Sequence, residues 1–295
     1  MKKNTFGRII LHTVLIGMSL CFVLPLALVI IISFSSETSI AHVGYSFFPN
    51  EWSIEAYKIA FKNLEQIIDS YFVTSFASIT ATLLSLLVQL MAAYPLAKSN
   101  FKYKKAVLVY ALVTMIFSGG LIPSYIINTR MLHLQNTIWV YIFPTLASAW
   151  NVLIMRSFIK GLSESIFEAA RIDGASEYRI LFRIILPLSV PVLATLGFKG
   201  LIVRWNDWNT ALIYIREPKL YSLQYLLQKI LREAEYLKKL ADEATNIQSA
   251  VALDEAPSES LRFAMAVIAS GPMLVVFPFF QKYLAKGLVV GSVKG

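Results

Sequence analysis

Long apolar segments alternate with short polar ones along the whole chain. Six of them are long enough to cross the hydrocarbon core of a bilayer, which takes about 20 helical residues at ~1.5 Å each. We therefore predict an all-α integral membrane protein that forms a single domain over residues 1–295. Its six transmembrane helices are placed at about residues 9–34, 71–97, 106–127, 138–155, 187–215 and 261–281.

Positive charges predict how these helices are oriented. Residues 1–8 are basic, and four lysines follow the second apolar segment within residues 98–105. Lys and Arg are enriched in cytoplasmic loops, so both termini and the polar segment 163–186 are predicted to be cytoplasmic. The hydrophilic stretch 216–260 carries six basic and eight acidic residues and is predicted to be an extracellular loop.

The segment 163–186 is a polar island with the pattern of two short helices joined by a tight turn. Ser165 with Glu168 has the spacing of a capping box, Gly174 suits a left-handed helix end, and Ser176 suits the start of a second helix. The second helix is predicted to present one apolar face at i, i+3, i+4 and i+7, made of Tyr178, Leu181, Phe182 and Ile185. A helical elbow with such a face at a membrane surface has the shape of a docking element.

The fifth apolar segment is unusual because it contains ionisable and amide side chains. An ionised group near the middle of a bilayer costs about 2.5–3.5 kcal/mol, so such groups are expected to face the bundle interior or a wet cavity. Arg204 and Asp207 lie three residues apart and are expected to pair on one helical face. For Trp208 and Asn209 an outer membrane interface remains an equal alternative. The candidates for a substrate path are Lys199, Arg204, Trp205, Asn206, Asp207, Trp208 and Asn209.

Two further interruptions of apolar segments have alternative interpretations. Gln89 is expected to bond to another helix rather than to substrate. Ser118–Pro123, with its Gly-Gly pair, predicts either a kink at a helix end or a break that lines a path, and the kink is slightly favoured.

Composition supports the membrane assignment and excludes several classes of function. The chain is 57% hydrophobic and 15% charged, with mean hydropathy +0.62, whereas soluble domains carry about 25% charged residues. The net charge of +9 fits cytoplasmic loops beside anionic lipid better than a nucleic-acid partner. Cys21 is the only cysteine, so an intrachain disulfide is impossible. With no phosphate-binding loop and no metal-ligand spacing, we predict no enzyme activity, no catalytic residue, no metal and no cofactor on this chain.

The polar island carries a specific string. Glu168-Ala-Ala and Asp173-Gly-Ala, followed by Phe182, Leu186-Pro187 and Pro191, resemble the "EAA" loop of binding-protein-dependent ABC importer permeases. The resemblance implies an ABC type I importer permease fold whose cytoplasmic loop lies in a groove of a separate ATPase subunit. The residues that it implies for coupling to the ATPase are Glu168, Ala169, Ala170, Asp173, Gly174, Ala175 and Phe182.

Other strings resemble the carbohydrate branch of these permeases, the maltose-permease-like type. They are the tail 278–295, Phe117–Pro123, Asn136–Trp139 and Ala149–Arg156, which are similar to the LplC/YtcP-like group of oligosaccharide importers. The resemblance implies a multi-pass subunit of an ATP-driven sugar importer in the cell membrane. Its implied partners are a second homologous permease, two ATPase subunits that bind ATP-Mg, and an extracellular sugar-binding (lipo)protein. By the same resemblance, residues 216–260 approach the binding protein and residues 287–295 approach the ATPase.

Two alternatives stay open at this point. One is an EAA permease for a non-sugar solute such as a polyamine or a phosphonate. The other is an ion-gradient transporter that uses Lys199, Arg204 and Asp207 as a relay. If the substrate is a sugar, cationic Lys199 and Arg204 would suit an acidic one.

Overall fold

All regular secondary structure in this computed structural model, which describes residues 5–98, 100–243 and 259–292, is helical. The α-helices are α1 (Thr5–Ser33), α2 (Glu37–Val43), α3 (Glu55–Ala60), α4 (Leu64–Ala97), α5 (Lys104–Ile116), α6 (Leu121–Ile126), α7 (Ala149–Lys160), α8 (Glu164–Ile172), α9 (Glu177–Ile180), α10 (Leu186–Leu188), α11 (Val190–Trp205), α12 (Asn209–Tyr214), α13 (Leu223–Glu243) and α14 (Glu259–Ser292). Short 3₁₀ helices lie at Phe61–Asn63, Ile138–Tyr141, Phe143–Thr145 and Pro218–Leu220, and π-helical turns at Ile127–Met131 and Leu181–Ile185. Parts of two predicted regions, 244–258 of the outer loop and 293–295 of the tail, lie outside the described residues.

The apolar helices provide three clear membrane spans and three bent ones. Within the described ranges, Gly7–Ser33, Glu55–Ala97 and Glu259–Gln281 are each long and apolar enough to cross a bilayer. Three further helix pairs reach that length only together, each bent at a short break, and counting each pair as one span gives six. The pairs are Lys104–Ile116 with Leu121–Met131 (112°), Ile138–Thr145 with Ala149–Lys160 (49°) and Glu177–Leu188 with Val190–Trp205 (75°).

The predicted interruption at Ser118–Pro123 is the sharpest of these bends. Helix α5 ends at Ile116, and Gly120 adopts a φ of 85° immediately before α6. A side chain at that φ would be strained, which explains why glycine stands there. The interruption is thus a full break between two helices, and the idea that it lines a path stays a hypothesis.

The described residues group into two compact units. The first contains the described residues up to Ile67 and those of Leu226–Pro272, and the second contains Ile68–Tyr225 and the described residues from Met273 onward. The prediction of a single domain stays a prediction.

In the first unit, an acidic side chain holds the start of α14. The Glu37 carboxylate accepts hydrogen bonds from the backbone N–H groups of Glu259 (3.0 Å) and Ser260 (3.1 Å), which otherwise have no partner at a helix N-terminus. The Ser33 hydroxyl lies 2.8 Å from the Tyr57 hydroxyl and joins the end of α1 to α3.

In the second unit, α4 buries a row of polar side chains against the neighbouring helices. Their spacing of three or four residues places them on one helical face: Ser70, Thr74, Ser78, Thr82, Ser85 and Gln89. The Gln89 Nε2 donates at 3.0 Å to the carbonyl oxygen of Leu146, which ends the 3₁₀ helix Phe143–Thr145, so the predicted bond to another helix is confirmed. That Gln89 does not contact substrate stays a prediction.

Candidate functional site

The polar island folds as the predicted elbow of two short helices. Helix α8 ends at Ile172, and Gly174 adopts a φ of 72°, which is the left-handed conformation that closes a helix. Helix α9 then begins after Ser176, whose hydroxyl accepts from the Arg179 N–H at 3.4 Å. The predicted roles of Gly174 and Ser176 are confirmed.

The predicted capping box is wrong. Helix α8 begins at Glu164, and the N-cap is Ser163, which has the extended conformation typical of that position. Ser165 already lies inside the first turn of α8, where its hydroxyl cannot reach forward to cap the helix. It lies 2.7 Å from the Ser163 hydroxyl instead.

The predicted apolar face of the second helix divides between two sides. Leu181 and Ile185 are buried, together with Ile180, whereas Tyr178 is 72% exposed and Phe182 is 42% exposed. The cause is the π-helical turn over Leu181–Ile185, because its i to i+5 hydrogen bonds change the rotation per residue and separate positions that an α-helix would align.

The buried side of the elbow is part of a larger apolar cluster in the second unit. This cluster fixes the elbow to the C-terminal half of α4 and to α7, because all three contribute fully or largely buried side chains. Its members include Leu90, Ala93, Tyr94, Met155, Ile159, Ala170, Ile180, Leu181 and Ile185.

The other side of the elbow is exposed and partly apolar. Ile172 is 86% exposed at the end of α8, and Tyr178 and Phe182 are exposed on the segment that follows the turn at Gly174. The predicted coupling residues Glu168, Ala169 and Asp173 are exposed as well, whereas Ala170 is buried and Ala175 is half-buried. We call Ile172, Tyr178 and Phe182 the apolar tip of the elbow. Exposed apolar side chains on a polar segment are candidates for contact with a protein partner or with the membrane.

Glu168 lies at the edge of a cleft of about 840 Å³ beside the elbow. The charged side chains of this cleft come from α8, α9, the end of α7 and the segment after α4: Lys98, Lys104, Lys160, Glu164, Glu168, Arg171 and Glu177. Among the described residues Glu168 forms no hydrogen bond or ion pair, so its exposed carboxylate is available to a basic side chain of a partner.

Glu177 ties the elbow to the end of α4, and sequence analysis did not find it. Its carboxylate accepts hydrogen bonds from the Lys98 ammonium and the Tyr94 hydroxyl, and its Oε1 lies 4.0 Å from the Arg171 Nε. The hydrogen bond from Lys98 lowers the pKa of Glu177 below its ordinary value. Lys98 and Tyr94 are 79 and 83 residues away along the chain, so no local pattern announces these bonds.

We expect Glu177→Gln to loosen the elbow without unfolding the protein. The carboxylate is about half exposed, and exposed ion pairs contribute at most about 1 kcal/mol, so the melting temperature should barely change. Transport coupled to ATP hydrolysis should fall roughly fivefold, because a coupling free energy of ~1 kcal/mol corresponds to that factor. The pKa of the folded state is lowered, so the anchor is ionised at neutral pH and is lost only as the pH falls through that lowered value.

Uptake into proteoliposomes and ATP hydrolysis would be measured side by side at neutral pH. Glu65→Gln is the matched control, because Glu65 is also exposed but lies in the first turn of α4, at the end of that helix away from the elbow. An unchanged ratio of uptake to hydrolysis in Glu177→Gln would contradict a role in coupling.

The predicted ion pair in the fifth span does not form. The Arg204 guanidinium donates to the Thr145 carbonyl oxygen (2.9 Å) and to its hydroxyl (3.3 Å). Asp207 accepts from the Thr210 N–H at 3.0 Å and so caps the start of α12. The reason is that α11 ends at Trp205, whereas an i, i+3 pair requires a continuous helix.

The remaining path candidates lie in different surroundings. Trp205 is buried, with its ring centroid 6.4 Å from that of Tyr71, and Trp208 is half-buried. Asn206 is exposed, donates to the Ile202 carbonyl oxygen at 2.9 Å and accepts from the Gln224 Nε2 at 3.2 Å.

Lys199 and Asn209 are exposed. That the seven candidates contact substrate stays a prediction.

Comparison with known proteins agrees with this geometry. The family model described as "Binding-protein-dependent transport system inner membrane component" matches residues 85–290. The chain is 36% identical to Protein LplC of Bacillus subtilis over 95% of its own length and 92% of that protein. It is 30% identical to the polygalacturonan/rhamnogalacturonan transport system permease protein YtcP of the same species, over 99% of its length and 100% of that protein.

A solved structure has the same fold. It is the crystal structure of a bacterial ABC transporter involved in the import of the acidic polysaccharide alginate. The match has a TM-score of 0.76 at 28% identity and covers 96% of this chain and 99% of that one. This chain belongs to the family of binding-protein-dependent transport system inner membrane components, which are membrane permeases and not catalytic enzymes.

Proposed function

We propose that this chain is one permease subunit of an ATP-driven oligosaccharide importer, with six spans and both termini in the cytoplasm. The observation that carries the proposal is the elbow, which is packed into the chain on one side and exposes an apolar tip with Glu168 beside it on the other. The permease YtcP and the alginate importer are named for saccharide transport, which supports a sugar as the substrate.

In this proposal the chain provides half of the translocation path and binds no cofactor. ATP-Mg binds to two partner ATPase subunits, and their closure moves the elbow through Glu168 and the apolar tip. Because Glu177 holds Lys98 and Tyr94, and the buried cluster holds α7, that displacement passes directly to the cytoplasmic ends of α4 and α7. The spans then open outward and receive sugar from an extracellular binding protein.

Each proposed partner has its own contact region on this chain. Residues 216–260 face the binding protein on the outer side. On the cytoplasmic side, residues 163–186 form the element that docks on the ATPase subunits, and residues 287–295 approach the same subunits.

The first test is to purify the protein from its native membrane in mild detergent and to identify what accompanies it by mass spectrometry. The expected companions are a second permease with its own elbow, an ATPase and a sugar-binding lipoprotein. Recovery of the chain alone, or only with copies of itself, would overturn the heteromeric importer.

Binding assays on the captured binding protein decide whether the substrate is a saccharide, a polyamine or a phosphonate. Uptake measured under ATP depletion and with an uncoupler distinguishes the importer from an ion-gradient transporter. Uptake that survives ATP depletion but stops with an uncoupler would favour the ion-gradient transporter. The proposed relay has little support, because Arg204 is engaged with Thr145 and Asp207 with Thr210.

A further inference from the structure

Helix α11 has one face that is packed tightly against the rest of the second unit. Gly197 allows this close approach, because a Cβ there would lie 3.1 Å from the Leu86 Cδ1 of α4. At Gly200 a Cβ would lie 2.7 Å from the Arg204 Nη1, so the guanidinium folds back over this glycine towards Thr145. Leu201 and Trp205, which follow Gly197 at i+4 and i+8, are buried on this face as well.

Lys199 lies on the side of α11 opposite Gly197 and Leu201. This side is buried in the first turns of the helix, at Val192 and Leu196, and is unpacked from Lys199 onward. The Lys199 side chain is exposed, and its ammonium has no hydrogen-bond or ion-pair partner among the described residues. Val203, which is 62% exposed, and the exposed Asn206 follow at i+4 and i+7 and share this face.

The position of Lys199 along the span makes its exposure significant. It lies nine residues after Val190, which is about 14 Å along the helix axis and near the middle of a ~30 Å hydrocarbon core. A lysine ammonium at that depth raises the free energy of insertion if it faces lipid, so such a residue is retained where it faces a water-filled cavity or the interior of a helix bundle. The face of Lys199, Val203 and Asn206 is therefore the side of α11 that is suited to line a wet path.

The two cations of this span have different availability. Arg204 already donates to the Thr145 carbonyl oxygen, so it stabilises the bend before α7. Lys199 keeps all three ammonium donors for a ligand. A lysine ammonium binds carboxylates by charge-assisted hydrogen bonds, which are about twice as strong as neutral ones.

We infer that Lys199 selects acidic oligosaccharides by binding the carboxylate of a uronate residue as it passes through the membrane. Asn206, two helical turns further along the same face, can donate the second N–H of its amide to a sugar hydroxyl, since the first is bonded to the Ile202 carbonyl oxygen. This inference rests on the proposed function as a saccharide importer. It also fits the structural similarity to the importer of an acidic polysaccharide.

The test uses the complete importer in proteoliposomes with saturating binding protein. The probes are two acidic trisaccharides, of galacturonate and of mannuronate, and two neutral ones, of galactose and of arabinose. Lys199→Gln is expected to lower uptake of an acidic trisaccharide roughly tenfold and to leave neutral uptake unchanged or raised, whereas Lys199→Arg keeps the acidic preference. Lys102→Gln is the control, because Lys102 is an exposed lysine outside the span ranges.

A cysteine version separates a wet path from a lipid-facing or covered position. Cys21 is the only native cysteine, so Cys21→Ser gives a background for Lys199→Cys in an assembly whose other subunits lack cysteine. A water-soluble aminoethyl thiosulfonate forms a mixed disulfide with the thiolate, releases sulfinate and restores a positive charge. Acidic uptake is expected to return with this reagent and not with its sulfonatoethyl analogue.

Three outcomes would overturn the inference. The first is an equal loss of acidic and neutral uptake in Lys199→Gln, and the second is that the wild-type importer takes up only neutral sugars. The third is that the cysteine of Lys199→Cys does not react in the assembled importer. In each of these cases ATP-driven sugar uptake by the wild-type importer still stands. Absence of ATP-driven uptake of any saccharide by the wild type is a different result, and it would remove the proposed function together with the inference.

Discussion

Glu168→Lys is expected to abolish productive transport while leaving the permease folded. Glu168 is exposed on α8 and lines the charged cleft beside the elbow, so a lysine there meets Lys98, Lys104 and Arg171 without entering the core. If Glu168 pairs with a basic residue of the ATPase, reversal of its charge costs about 3 kcal/mol, which corresponds to a roughly 100-fold loss of uptake.

The measurement compares ATP hydrolysis with sugar uptake in reconstituted importer. Hydrolysis is expected to continue at its basal rate but to lose its stimulation by the loaded binding protein. Glu65→Lys is the matched control, since it reverses an exposed carboxylate in the first turn of α4, at the end of that helix away from the elbow. Near-normal uptake by Glu168→Lys would exclude this carboxylate from coupling.

Local features of the elbow were predictable because they depend on neighbouring residues alone. Gly174 closes α8 since a glycine tolerates positive φ, and Ser176 caps α9 since its hydroxyl reaches the N–H three residues on. The capping box at Ser165 failed for a related reason. Ser163 takes the N-cap position two residues earlier without a side-chain capping bond, and the spacing of Ser165 to Glu168 does not decide where the helix begins.

Features that depend on distant residues or on irregular helices were not predictable. The bonds of Glu177 join residues about 80 positions apart, and the π-helical turn after α9 moves Phe182 away from Leu181 and Ile185. The predicted pair of Arg204 and Asp207 assumed a helix that in fact ends between them. Hydrophobic periodicity identifies which segments are apolar, but it does not show where a membrane helix breaks.

Ile172→Asp is expected to detach the ATPase from an otherwise intact permease. Ile172 is 86% exposed at the apolar tip of the elbow, so its replacement removes no packing within the chain. In a docked complex an apolar side chain at the centre of the tip would be desolvated, and truncation of such central residues often costs about 2 kcal/mol or more. A buried, unpaired carboxylate adds to that cost, so retention of the ATPase should fall by a factor of roughly 100.

The readout is the amount of ATPase that copurifies with the permease, together with the melting temperature of the isolated permease in detergent. Phe48→Asp is the matched control, because Phe48 has the same 86% exposure but lies in the first connecting segment, on the predicted outer side. Ile172→Val should retain the ATPase, since it keeps an apolar side chain at the tip. Full retention of the ATPase by Ile172→Asp would mean that the partner does not cover this surface, and the docking role would then have to rest on Glu168 and the charged cleft alone.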